Sequence, residues 1–211
     1  MKVAVVGHGT SLTYAGLGKH IDTYDHVIRM VGSEFSHGDI ETYGEKCTAV
    51  YAHSSQLYHF NRGENTRVWL EDKTPIWCSH YAKQDDVETK KIIHESKIPN
   101  VYNFQKHMNR WYDYIEWGPQ KITKGTAAII CAVEHLKPES ITLFGFDNLV
   151  RGNNKFYGSA KHGGVGLQAC HLVGHNLAAE KKIVAFITGF YKIRLYHFGN
   201  FMFNCTCELN D

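Results

Sequence analysis

Proline is scarce in this chain, four in 211 residues, and so is net charge: 23 Lys and Arg stand against 21 Asp and Glu, a formal +2. Few prolines together with 43% hydrophobic residues exclude a disordered, low-complexity chain. The near balance of charge excludes a dedicated nucleic-acid binder, whose footprint is a basic excess. No apolar run approaches the roughly 20 residues that cross a bilayer. The opening MKVAVVGHG has one Lys and a short apolar run, but glycine interrupts it, so it reads as a first buried strand rather than a signal peptide. The expectation is a cytoplasmic protein, with peripheral attachment to a membrane as the alternative. The six cysteines, at 47, 78, 131, 170, 205 and 207, lack the dense, regular spacing of a disulfide framework. Cys205 and Cys207 have no second pair with which to build a zinc ribbon. These cysteines read as free thiols, with Cys131 a small core residue. Asn204-Cys205-Thr206 matches the glycosylation sequon, a coincidence in a protein that is not secreted. No Asp-x-Asp motif is present.

What the chain does have is 14 His, 12 Tyr and a regular alternation of short apolar runs with helical stretches. Strands are expected over 3–6, 26–30, 47–51, 75–78, 141–144 and 192–196. Helices are expected over 85–95, 105–117 and 124–136, the last followed by Pro138. A further helix, capped by Asn176, runs to about Thr188 with Gly189 just past its end. Strands alternating with helices give one α/β domain over 1–211, a doubly wound and mostly parallel Rossmann-like sheet with helices on both faces. The stretch 148–173 is long, polar and rich in glycine, the composition of a lid or binding loop. The tail FGNFMFNCTCELND reads as core packing or the contact of a homo-oligomer rather than a membrane anchor.

In an open parallel sheet the ligand sits at the carboxyl ends of the strands. Gly7-His8-Gly9-Thr10-Ser11 follows the first strand. Such a loop can bring backbone close to a nucleotide phosphate, or be only a tight turn. Leu12 stands where the dinucleotide fingerprint needs its third glycine. A second constellation, Val173-Gly174-His175-Asn176-Leu177-Ala178-Ala179-Glu180, puts His175 at a loop-to-helix junction and Glu180 in the next turn. His175 can act as a general base with Glu180 orienting the imidazole. The alternative is a surface His beside a Glu that the helix dipole favours. His171 and His175 are four apart, but Gly174 interrupts the helix a metal pair would need, so no metal site is expected.

These pieces, in this order, resemble the sialyltransferases that use a cytidine-monophosphate sugar donor, both the small bacterial lipooligosaccharide-type enzymes and the animal enzymes. VAVVGHGTSL…IDTYDHVIRM is similar to the first family motif, a strand, a glycine loop and a second strand ending in Arg, here Arg29. YGEKCTAVYAHSS is similar to the next strand of the bacterial branch. QKITKGTAAIICAVEHLKPESITLFGFD resembles the motif that the family writes Gln-Arg-Ile-Thr-Ser-Gly, followed by helix and strand. GHNLAAEKKIVAFITGFYKIRLYHF resembles the closing element, a His with an acidic residue five further on. The resemblance covers most of 3–198.

The resemblance implies a glycosyltransferase-A-type variant of the α/β/α sandwich and an inverting transfer of sialic acid or a related acidic sugar to a glycan hydroxyl. The donor is a CMP-sugar, the acceptor is a glycan, and no cofactor or obligatory metal takes part. By position, Gly7, His8, Gly9, Thr10 and Ser11 approach the donor phosphate or sugar, and Arg29 sits on the family's Arg. Lys121, Thr123, Lys124 and Gly125 line the sugar–phosphate pocket. Asp147 and Asn148 meet the cytidine ribose or base. His175 takes the acceptor proton, Glu180 is the acidic residue of the pair, and Tyr157 helps the phosphate leave. This chain has His8 where the family has Asn, Val31 where the bacterial branch has Asn, Lys121 for Arg and Lys124 for Ser. Two other functions fit the same expected fold. One is a different nucleotide enzyme, such as a pterin pyrophosphokinase-like protein, which needs acidic metal ligands near the phosphates. The other is a catalytically silent sugar-nucleotide binding module.

Overall fold

The structure, a computed structural model, describes residues 1–7, 12, 16–31, 40–57, 73–80, 83, 85–114, 121–146 and 177–198. Seven strands lie in one sheet: β1 (Lys2–Val6), β2 (His26–Met30), β3 (Ala49–His53), β4 (Ile76–Ser79), β5 (Val101–Asn103), β6 (Ser140–Phe144) and β7 (Arg194–Phe198). Their order is β5-β4-β3-β2-β1-β6-β7, and every neighbouring pair is parallel. The helices are α1 (Gly18–Ile21), α2 (Ile40–Tyr43), α3 (Asp86–Ser96), α4 (Gln105–Tyr112), α5 (Lys124–Leu136) and α6 (Leu177–Phe190). The expected α/β sheet with helices on both faces is what forms. β5, α1 and α2 were not anticipated, and α4 ends at Tyr112, five residues before the expected Trp117.

Continuous apolar runs make these strands because both sheet faces are covered. On one face Val3, Val5, Ile28, Tyr51, Trp77 and Ile141 pack against α4, α5 and α6. On the other, Ala4, Val6, Val27 and Phe144 pack with Ile21 and Tyr43, while Val50, Ala52, Ile76 and Cys78 pack with Ile92 and Ile93 of α3. Removing each of the Val, Ile and Phe side chains among them from water contributes about 1.5–3 kcal/mol. Helix α5 lies between the sheet and its helical neighbours, and every residue from Gly125 to Val133 is buried. Its small residues, Gly125, Ala127, Ala128 and Ala132, let it sit close to the sheet. Lys97 and Lys137 close α3 and α5 in the left-handed conformation (φ 55° and 46°), the place where glycine is usual.

The strand order reverses between β1 and β6: the chain winds outward from β1 through β2 to β5, then returns to the other side of β1 for β6 and β7. At such a switch point the loops leaving the two strands diverge and open a crevice at their carboxyl ends. That feature positions the site.

Candidate active site

Three backbone segments meet at the carboxyl end of the crevice. From β1 comes Gly7, whose N–H donates to Phe144 O at 2.6 Å. From β6 come Gly145 (φ 66°) and Phe146. The third is the start of α5. A Cβ on Gly7 would lie 2.5 Å from Gly145 O, so a side chain there needs a backbone shift, and one on Gly125 would lie 2.6 Å from the Phe146 ring, which would have to move. The close approach anticipated for Gly7 is therefore made, within the described residues, to the neighbouring strand end. On the β7 side, His197 Nε2 lies 2.5 Å from Phe146 O and ties the β6 exit to the last strand.

The start of α5 is built around one carboxylate. Thr123 is the N-cap, its hydroxyl accepting from the Thr126 N–H at 3.3 Å. Glu180, in the first turn of α6 and 5% exposed, accepts from the Thr123 N–H at 2.7 Å and from the hydroxyls of Thr123 and Thr126, each at 2.6 Å. The expectation gave Glu180 the task of orienting His175. Its described contacts join the start of α6 to the start of α5 across 54 and 57 residues of sequence, and His175 lies outside the described residues. No rule of local spacing reveals such a bond.

Lys124, the first residue of α5, reaches across to the end of β2, where its ammonium donates to Val31 O at 2.6 Å. Burial pushes its pKa down to about 8. Burial disfavours its charged form, which the Val31 carbonyl helps to hold. Lys121 is exposed.

Arg29, in β2, is held by backbone carbonyls. It is 3% exposed on the α1–α2 face of the sheet. Its Nε donates to Lys46 O at 3.0 Å, and one terminal nitrogen donates to Tyr43 O at 2.7 Å and Gly44 O at 3.1 Å. Burial lowers its pKa. The guanidinium holds the chain that enters β3.

Farther along the carboxyl edge, sequence reading overlooked a polar cluster at the ends of β3 and β4. The Tyr51 hydroxyl lies 2.6 Å from Ser79 Oγ and 3.2 Å from His53 Nδ1, and burial raises the Tyr51 pKa. The His53 N–H donates to Gln56 Oε1 at 3.1 Å, and the His80 N–H to Gln105 Oε1 at 2.6 Å. Polar residues closing two otherwise apolar strands were the available signal.

His8, Gly9, Thr10, Ser11, Asp147, Asn148, Tyr157 and His175 lie outside the described residues, as does the stretch 148–173. Cys47, Cys78 and Cys131 are free thiols, and Cys131 is fully buried as expected. Among the described residues no three His, Cys, Asp or Glu side chains are grouped as metal ligands would be. Among those residues, too, no helix is long and apolar enough to cross a membrane.

The model of glycosyltransferase family 29 (sialyltransferase) matches residues 1–188. Among solved structures the chain is similar to the sialyltransferase CstII from Campylobacter jejuni in complex with cytidine-5′-monophosphate. That match has 19% identity and a TM-score of 0.61, over 94% of this chain and 80% of that one. A structure of CST-II with a trisaccharide acceptor and CMP is similar at 20% identity and a TM-score of 0.64, over 93% and 80% of the two chains. A mammalian sialyltransferase is similar at 14% identity and a TM-score of 0.57, over 92% and 68%. At these identities the likeness establishes the fold. No curated protein matches the chain by sequence.

Proposed function

This chain belongs to glycosyltransferase family 29, the sialyltransferases, and from that premise we propose that it moves sialic acid or a related acidic sugar from a CMP-linked donor to a hydroxyl of a glycan. The observation that carries the proposal is the crevice between β1 and β6, where Gly7, the Thr123 cap and the buried Lys124 converge. CstII, which shares the fold, binds CMP and a trisaccharide acceptor.

In the proposed reaction His175 accepts the acceptor's hydroxyl proton as the new oxygen–carbon bond forms at the anomeric carbon. The bond from that carbon to the phosphate oxygen breaks on the opposite side, and its electron pair leaves with CMP, inverting the centre. A phosphate monoester departs readily when its charge is met by fixed donors, so no metal is required. Gly7, His8, Gly9, Thr10, Ser11 and Gly125 supply close backbone and hydroxyl contacts to the donor, and Asp147 and Asn148 contact the nucleoside. Lys124, with Lys121 beside it, faces the donor's negative groups, and Tyr157 meets the departing phosphate. Glu180 acts one step back: it fixes the Thr123–Thr126 turn on which the donor rests.

The test is transfer from CMP-sialic acid to a panel of oligosaccharides. The parent transfers sugar in the presence of chelator. His175→Ala lowers kcat by about 10²–10⁴ with donor affinity near normal, the span typical of general-base help. Transfer by His175→Ala within a few-fold of the parent removes His175 as the base. Complete loss on chelation, rescued by a divalent ion, removes the metal-free mechanism.

A further inference from the structure

Far from the crevice, α4 and α6 carry a surface that the transfer reaction does not use. Tyr114, Phe186 and Phe190 are 58%, 46% and 59% exposed. They form one patch rather than scattered contacts: the Tyr114 and Phe186 rings lie 5.6 Å apart, and those of Phe186 and Phe190 lie 6.4 Å apart. All three surround the buried Trp111, at 5.4, 5.9 and 6.2 Å. Trp111 is pinned from below, its indole N–H donating to Glu134 at 2.5 Å. The patch is therefore a rigid aromatic platform. Contiguous exposed apolar surface of this kind marks an interaction site.

The charges around it select the partner. On α4 Lys106 and Arg110 are exposed four residues apart, with Tyr114 in the turn just past the helix, and on α6 the exposed Lys182, Phe186 and Phe190 recur every fourth residue. α6 thus puts a cation and aromatics on one outward stripe, and α4 adds two cations beside it. Lys192 adds an exposed cation just past Phe190, and the Arg110 guanidinium lies 5.2 Å from the Trp111 ring centre. Among the described residues the exposed carboxylate nearby, Asp113, is paired with Lys83, while Glu134, its side chain 5% exposed beneath the platform, lies 3.8 Å from Arg110 and 3.5 Å from His107. A symmetric contact with a second copy would press these cations against their own images. Aromatic rings set among Lys and Arg are instead the composition of a surface that sits at the headgroup level of an anionic bilayer.

We propose that the α4–α6 face, with Tyr114, Phe186 and Phe190 as its apolar wedge and Lys106, Arg110, Lys182 and Lys192 as its cationic rim, docks the protein on an anionic lipid surface. Helix α5 separates the two sites. Its first turn is at the crevice and Glu134 lies under the platform, roughly 15 Å away at 1.5 Å per residue, so docking leaves the crevice open.

The experiment is co-sedimentation of the full chain with vesicles of phosphatidylcholine alone and of phosphatidylcholine mixed with phosphatidylglycerol. Binding is expected to the mixed vesicles, to weaken with salt, and to fall roughly fivefold in Lys182→Gln. It should fall by more than about tenfold in the Phe186→Ser/Phe190→Ser double variant. Both sets of changes are on exposed positions, and transfer to a soluble oligosaccharide should be unchanged. Equal binding to neutral and mixed vesicles, or to mixed vesicles by the double variant, overturns the proposal. So does self-association of the parent that the double variant abolishes while neither protein binds lipid.

Discussion

Two cationic residues that the sequence places in the same pocket have opposite lives in the structure, and each makes its own prediction. Arg29 satisfies three backbone carbonyls in the layer beneath β2. Arg29→Met should therefore lower stability by about 1–3 kcal/mol, the cost of stranding buried acceptors, and leave the donor Kd of the folded protein unchanged. Chemical denaturation and a donor titration read the two effects separately, and a large loss of donor affinity at normal stability would return Arg29 to the pocket. Lys124 is the reverse case. Its folded pKa, about 8, is below its ordinary 10.5, so the unfolded chain binds more protons between those values. Stability contributed by this group accordingly rises as pH goes from 8 to 10.5, and its burial as a cation costs stability below 8. Binding has the opposite sign, because an anionic donor needs the charged form. Donor affinity should fall roughly tenfold between about pH 7 and about pH 9 in the parent and stay flat in Lys124→Met. An affinity equally flat in both would mean that Lys124 does not face the donor's charge.

At the scale of elements, the contact between α5 and α6 decides how well the crevice is formed. Removing Glu180 strands the Thr123 N–H and leaves two hydroxyls without their acceptor. Glu180→Ala should cost about 1–3 kcal/mol and raise the donor KM. Glu180→Gln keeps an oxygen for the Thr123 N–H and should recover most of both. An unchanged melting temperature in Glu180→Ala would contradict the bracing role. This element also shows where sequence reading succeeds and where it stops. The bounds of α5 and β2 were legible because Pro138 follows the helix and His26–Met30 reads as a bounded strand. The ends of α3 and β5 were less so: a Lys at φ 55° closes α3, and the three-residue strand Val101–Asn103 owes its pairing to β4 rather than to its own pattern. The bonds that hold Arg29 and Glu180 were not legible, since their partners lie 14–17 and 54–57 residues away. The Tyr51–His53–Ser79 cluster went unseen for the same reason, because two separate strands build it.

At the scale of the whole molecule, the sheet order makes one location at the carboxyl edge special, and the glycines at 7 and 125 keep it narrow. The function proposed for this chain stands on that crevice accepting a cytidine nucleotide. The most direct measurement is the thermal shift of the full chain with CMP, UMP, AMP and GMP in turn. A nucleotide that binds only the folded state stabilises by RT ln(1 + [L]/Kd), about 2.7 kcal/mol at a concentration of 100 times its Kd. CMP is predicted to raise the melting temperature more than the other three at equal concentration. An equal or larger shift with UMP, AMP or GMP would contradict the account.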